Sequence, residues 1–271
     1  MSKFVRSNFT LKTFTDNSYK AIDEGAYDSE EYDFSGHESI SIKKTILSCP
    51  HAPLIIEIKS SSPSRGRIIK SDEINVIEQA SVIARSGASG LSVLTQPYLF
   101  NGSIKNLAMI RQKVKVPLLM KDITVSEIQI DAAKRIGSDC VLLIKTIFDQ
   151  DLAEGSIEKF AEYAYKKGLQ VIIEVHSEKE FEEVLKLQQQ TNLIGINNRD
   201  LNSLITDIST TQRLLKKHDK GKNIIISESG ISQPEEIQSL KNAGADAFLI
   251  GTSIMESNDI LSKVRELYLS L

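Results

Sequence analysis

The sequence predicts a (β/α)8 TIM barrel with an N-terminal helical extension. From Pro53 onward, eight short apolar runs rich in Ile, Val and Leu recur along the chain, as expected for strands buried on both faces of a parallel sheet. Longer stretches with apolar residues at three- and four-residue spacing lie between them, as βαβ units require. A similar text at helix-to-strand junctions, beginning at Gly87, Gly137 and Gly244, recurs at intervals of 50 and 107 residues. Those intervals are close to two and four units of about 26 residues in a barrel of roughly 250.

Residues 1–52 precede the first strand and are expected to form the extension packed on the barrel, with 53–271 as the barrel itself. Helices are expected near Phe9–Tyr19 and Ser39–Leu47, on either side of an acidic, tyrosine-bearing stretch from Asp23 to Asp33. The eight strands are expected at Leu54–Lys59, Gly90–Leu94, Pro117–Lys121, Cys140–Ile144, Gln170–Val175, Leu193–Asn197, Asn223–Glu228 and Ala247–Ile250. Between them, helices are expected over Asp72–Ser86, Ser126–Ile136, Ile157–Lys167, Lys179–Gln188 and Pro234–Ala243. Ser71, Ser177 and Pro234 supply helix-start signals, and each junction glycine can take the left-handed conformation that ends a helix. The structural rival, an open doubly wound sheet, would want a Gly-rich dinucleotide turn after the first strand, and nothing there resembles one.

Composition narrows the function. A hydrophobic fraction of 41% and a charged fraction of 25% are those of an ordinary globular protein. Net charge is −3 and the cations are dispersed, so no basic face for nucleic acid is expected. No apolar run approaches the roughly 20 residues that span a bilayer, and Met1–Ser7 lacks a signal-peptide core, so no membrane association and a cytoplasmic location are expected. The two cysteines, Cys49 and Cys140, have no partner at metal-ligand spacing, so no metal site is expected and Cys140 reads as a buried strand residue.

Chemistry concentrates at the C-terminal strand ends, where barrels carry their catalytic groups. Glu57 and Lys59 stand two apart and so share a face, away from Ile56 and Ile58. Lys121, Glu174, Asn197 and Glu228 close or nearly close four further strands. Burying one unpaired charge is costly, so repeated placement at the same end of different strands points to a site rather than to packing. Ser62 lies in a hydroxyl-bearing turn, Ser62-Pro63-Ser64-Arg65-Gly66, that is expected to be mobile, while Ser229-Gly230 and Gly251-Thr252-Ser253 follow the seventh and eighth strands. Those last two loops are where barrels commonly bind phosphate. His176 shares a face with Glu174, and a hydrogen-bonded structural role is expected for it. His37, His51 and His218 show no partner pattern and read as surface groups. Phe100 either lines an aromatic-ligand pocket or packs.

The strings Glu57-Ile-Lys59-Ser-Ser-Ser62-Pro63-Ser64-Arg65-Gly66, Ser92-Val-Leu-Thr95, Phe100-Asn-Gly102-Ser103, Lys121-Asp122, Gly195-Ile-Asn197-Asn198-Arg199-Asp200-Leu201 and Glu228-Ser229-Gly230-Ile231 together resemble the indole-3-glycerol-phosphate synthase family. The match runs in order from Pro53 to Met255, and the motifs are specific jointly rather than singly. The resemblance implies a carboxy-lyase of tryptophan biosynthesis. Its reaction is ring closure with decarboxylation and dehydration of 1-(2-carboxyphenylamino)-1-deoxyribulose 5-phosphate, and no metal or organic cofactor is implied.

In that resemblance Lys121 matches the general acid and Glu174 the base or proton carrier of the dehydration. Glu57 and Lys59 assist, and Lys59 also suits a substrate carboxylate or phosphate. Asn197 and Glu228 match residues holding sugar hydroxyls, and Arg199 a support at the mouth. Ser229, Phe100, Ile123 and Leu142 complete the substrate contacts, while Ser62, Gly230, Gly251 and Thr252 match the phosphate cradle. Crowding of Lys121 against Lys59 is expected to lower the ammonium pKa. Two positions depart from the family text: Ile123 stands where Phe often follows the Lys-Asp pair, and Gln96 where an acidic residue often follows Ser-Val-Leu-Thr.

The alternatives are another phosphate-binding barrel isomerase, resembling phosphoribosylanthranilate isomerase, and a catalytically silent barrel that binds a phosphorylated metabolite. A phosphorylated small molecule is the expected ligand, and a monomer is expected, with at most weak association with enzymes of the same pathway.

Overall fold

A computed structural model describes residues 10–58, 61–62, 66–67, 76–187, 192–201 and 203–271. Eight strands alternate with helices: β1 Leu54–Ile58, β2 Gly90–Leu94, β3 Leu118–Lys121, β4 Cys140–Ile144, β5 Gln170–Val175, β6 Leu193–Asn197, β7 Ile224–Glu228 and β8 Ala247–Ile250. All pair in parallel with their sequence neighbours, and β1 pairs with β8 to close the barrel. The expected order is thus the observed one, with ends differing by a residue. Lys59 and residues 68–75, including the expected cap Ser71, lie outside the described residues.

The register decides which side chains meet. Leu94 stands opposite Lys121, Ile144 opposite Glu174, Glu174 opposite Gly195, and Asn197 opposite Glu228. The ends of β3, β5, β6 and β7 thereby bring Lys121, Glu174, Asn197 and Glu228 to one mouth. Below them the strands are largely apolar and buried, with Ser92 and Ser227 as buried polar exceptions, and their apolar side chains form one core with the inward faces of the helices.

The helix ends follow from local chemistry. Ser126 and Ser177 form capping boxes with Gln129 and Glu180, and Pro234 opens the helix Pro234–Ala243. Gly137 adopts φ +79°, and a Cβ there would lie 2.7 Å from Arg111 Cγ. Glycine is required on both counts. After β1, Ser61–Ser62 pairs antiparallel with Gly66–Arg67, so paired backbone flanks the turn that was expected to be mobile; residues 63–65 lie outside the described residues.

Helices span Leu11–Asp23 and Ile42–Ser48 in the N-terminal segment. Leu11, Phe14, Ala21, Tyr27, Ile42 and Ile46 join the barrel's core. Two polar ties add to this packing. Near the C-terminal mouth of the barrel, the Tyr27 hydroxyl donates to both oxygens of Asp122, at 2.9 and 3.0 Å. At the opposite end, Asp139 accepts from the Ile40 N–H at 2.6 Å and the Leu118 N–H at 2.7 Å, and pairs with Arg111 and His37, each at 2.8 Å. His37 is therefore not a mere surface group. His218 likewise lies 3.0 Å from Glu178 and edge-on to Phe181. Among the described residues, no helix is long and apolar enough to cross a membrane.

Candidate active site

The barrel mouth holds a cavity of ≈ 430 Å³ lined by Glu57, Lys121, Glu174, Asn197, Arg199 and Glu228 among others. At its centre Lys121 Nζ donates to Glu174 Oε2 and, at 2.8 Å, to Glu228 Oε2. The two carboxylates come from β5 and β7 and are 2% and 1% exposed. Solvent therefore cannot screen this triad, and the fate of its protons is set by the neighbours.

Burial alone would push the Lys121 ammonium down, but the carboxylates of Glu174, Glu228 and Glu57 outweigh it and raise its pKa. That reverses the lowering expected from crowding with Lys59: three acids face Lys121, and an ammonium among carboxylates keeps its proton. Burial also opposes ionisation of Glu174, yet Lys121 and His176 together hold this carboxyl well below the usual range. Glu228 goes the other way, raised by burial and by the charge of Glu174, with Lys121 compensating only in part. One cation shared by two acids thus leaves one ionised and the other inclined to hold a proton.

Glycine makes this arrangement possible. A Cβ at Gly195 would fall 2.1 Å from Glu228 Oε1, so the position on β6 beside Glu174 must lack a side chain. Glu228 Oε1 is buried and accepts no hydrogen bond among the described residues. The Asn197 amide, in contrast, is committed: its Nδ2 donates to Glu174 Oε1 at 3.1 Å and its Oδ1 accepts from the Arg199 N–H at 3.0 Å.

Apolar side chains form the other part of the wall. Phe100, Ile123 and Leu142 line the cavity as expected, and Phe14 of the N-terminal helix joins them, its ring stacked on Phe100 at 6.4 Å between centroids. Phe14 was not singled out from sequence, because a helix 40 residues before the first strand carries no mark of the cavity it reaches. Asp122, beside Lys121, also borders the cavity, but its carboxylate accepts hydrogen bonds from Tyr27, Thr95 and the Ile123 N–H. Burial nevertheless pushes its pKa up to about 6.

Beyond the ends of β7 and β8, Ser229, Gly230, Gly251 and Thr252 also line the cavity. Ser229 and Gly230 both have positive φ, +69° and +87°. A serine in that region is strained, and Asn198 holds it there: its Nδ2 donates to Ser229 O at 3.0 Å, while its Oδ1 accepts from Thr211. The Ser253 hydroxyl donates to Ile231 O at 2.8 Å and ties the two loops together. Asn198, which braces this loop, stood in the sequence only as the second of two asparagines. Lys59 lies outside the described residues, and of Ser62 only the backbone is described.

Comparison with known proteins agrees with this geometry. The family model for indole-3-glycerol phosphate synthase matches residues 29–267. Indole-3-glycerol phosphate synthase of Aquifex aeolicus is 40% identical over 231 residues, covering 85% of this chain and 86% of that one. The Methanocaldococcus jannaschii enzyme of the same name is 44% identical, covering 79% and 77%, and the Staphylococcus haemolyticus one is 34% identical, covering 92% and 94%. Among solved structures, thiamine phosphate pyrophosphorylase from Pyrococcus furiosus superimposes with a TM-score of 0.55 at 15% identity, covering 80% of this chain and 93% of that one, which reports on the barrel alone. The matched span takes in every strand and every acid and base of the mouth, and the chain belongs to the indole-3-glycerol phosphate synthase family.

Proposed function

We propose that the chain converts 1-(2-carboxyphenylamino)-1-deoxyribulose 5-phosphate into indole-3-glycerol phosphate, carbon dioxide and water. The observation that carries this reading beyond family membership is Lys121, an ammonium held between two buried carboxylates at the mouth of a cavity with one apolar wall.

In this reading Lys121 hands a proton to the ribulose carbonyl oxygen as the aromatic carbon attacks, so that no free alkoxide forms. Its raised pKa means that the acid is charged in every molecule at neutral pH. Loss of carbon dioxide restores the aromatic ring. Glu174 then removes a proton and the hydroxyl leaves, with Glu57 assisting from the adjacent wall and Lys59 completing the set. Glu228, with one oxygen unoccupied, receives a sugar hydroxyl, and Asn197 orients Glu174 and the Arg199 backbone.

Phe100, Ile123 and Leu142 take the aromatic ring. Ile123, buried at the cavity wall, borders the ring by apolar contact, without the stacking an aromatic side chain would give, and Ser229 closes the substrate's edge. The phosphate is assigned to the backbone N–H groups of Gly230, Gly251 and Thr252, together with Ser62 and Lys59, which match the family's motif in sequence. The division into an extension, 1–52, and a catalytic barrel, 53–271, belongs to the same reading, as do a cytoplasmic location and a monomer that associates weakly at most.

The test is incubation with the carboxyphenylamino-deoxyribulose phosphate while indole fluorescence is followed. Turnover is the expected result. No fluorescence from folded protein that still binds the compound would replace this reading with that of a catalytically silent barrel.

A further inference from the structure

His176 stands two residues beyond Glu174, outside the lining of the cavity, with its Nε2 3.1 Å from Glu174 Oε1. Its side chain is 7% exposed, and neither ring nitrogen makes an aligned hydrogen bond. The main chain at its base is held by the following helix, because the His176 backbone N–H donates to Glu180 Oε2 at 2.7 Å. A buried, titratable ring thus sits behind the carboxylate assigned as the base, and the reaction as described leaves it unused.

Glu174 is approached by an ammonium, an imidazole and an amide. Lys121 holds Oε2, while Asn197 and His176 approach Oε1. A carboxylate with both oxygens ion-paired is a poor proton acceptor. Lys121 must stay charged to act as acid, so the ring is the partner whose charge can vary near neutral pH.

We propose that His176 is a positioning residue for Glu174: as a neutral imidazole it leaves Oε1 able to take the substrate proton, and as an imidazolium it blocks that oxygen. The inference rests on the reading of Glu174 as base. The step balances as follows. Glu174 forms an O–H bond as the substrate C–H bond breaks, and that electron pair forms the ring double bond as hydroxide departs. Glu174 then gives the proton up, and it leaves with the hydroxide as water.

The groups facing the ring give the sign of its effect. Glu174 on its own strand and Glu180 on the helix Glu178–Leu185 favour the imidazolium, Lys121 on β3 disfavours it, and Asn197 on β6 is neutral. Burial, the largest influence, also disfavours the charge, but the two carboxylates outweigh it and the pKa is raised. Activity should therefore be lost as pH falls through a midpoint above that of an ordinary imidazole.

The experiment is the pH profile of kcat for the wild type, His176→Asn and His176→Gln, with folding checked by circular dichroism and Glu174→Gln as control. Both amides can contact Glu174 but cannot titrate. Their acid limb is expected to move down by at least about one pH unit, with KM little changed. An acid limb that stays in place in both variants, with Glu174→Gln inactive, overturns the role of His176 alone. Activity retained by Glu174→Gln overturns the reading of Glu174 and this inference with it. A second readout needs no His176 variant: NMR titration of the histidine in the full chain should show its midpoint lowered by Glu174→Gln, and an unchanged midpoint overturns the proposal.

Discussion

The two ends of the barrel each bury an ion-paired cluster, and they treat charge in opposite ways. At the N-terminal end Asp139 is matched with Arg111, His37 and two backbone N–H groups, and Arg111 also donates to Val114 O and Val116 O. Every strong donor there has an acceptor. At the C-terminal end a single ammonium serves Glu174 and Glu228, and an oxygen of Glu228 accepts nothing among the described residues. Full matching fixes a structure, whereas incomplete matching leaves groups whose best partner is a substrate. The same fold thus separates stability from chemistry by end, as barrels generally do.

The comparison can be broken most sharply at Lys121. Lys121→Met should lower kcat by up to about 10⁴-fold, the upper range for a general acid, while Tm changes comparatively little because the two carboxyls can then take up protons. Steady-state kinetics beside thermal melts check this, and near-normal kcat would remove Lys121 from the chemistry. The matched end should respond in the reverse sense. Arg111→Ala leaves Asp139, which is 0% exposed, without its main cation, and should cost about 3–5 kcal/mol of stability. Denaturant unfolding measures that loss, and kcat per folded molecule should hold.

A smaller effect is expected at the joint between packing and chemistry. Gly195→Ala would drive a methyl group into Glu228 Oε1, 2.1 Å away, and should cost about 1–3 kcal/mol in overpacking. Because the methyl displaces Glu228 from Lys121, kcat should fall even in the folded fraction. Loss of stability with kcat unchanged would show that Glu228 is not needed where it stands.

What sequence could and could not show divides along the same line. Strands and helices were legible because their apolar period is local, and Lys121, Glu174 and Glu228 were legible because each closes an apolar run. Their mutual contact was not, since it joins residues 53 and 107 positions apart. The junction text Gly137-Ser-Asp and Gly244-Ala-Asp was visible as a repeat, but its purpose was not. Asp139 accepts from the Leu118 N–H and Asp246 from the Ile225 N–H at 2.8 Å, so each aspartate clamps the start of the preceding strand. The direction of the Lys121 shift was misjudged for a related reason: charge at a site depends on which carboxylates the barrel brings round, and sequence neighbours do not reveal that.

The smallest expected effect lies where the N-terminal segment meets the catalytic end. Tyr27 donates to Asp122, and Gln129 Nε2 donates to the Tyr27 oxygen at 3.1 Å. Burial raises Asp122 to about 6, and the Tyr27 hydrogen bond works against that rise. An acid whose pKa is higher folded than unfolded binds more protons in the native state between those two values. Stability from this group therefore falls as pH rises from about 4 to about 6, and stays lower above. Tyr27→Phe removes a donor to the ionised form, so the native pKa should climb further and the loss extend to higher pH. Its cost should be about 1.5 kcal/mol near pH 8, the range for a hydrogen bond to a charged group, and should shrink towards about pH 4.5, where Asp122 is protonated in the folded state. Urea unfolding at both pH values measures the difference. A cost that does not vary with pH would mean that Tyr27 acts through packing alone, and that the tie between the N-terminal segment and the catalytic strand does not depend on the charge of Asp122.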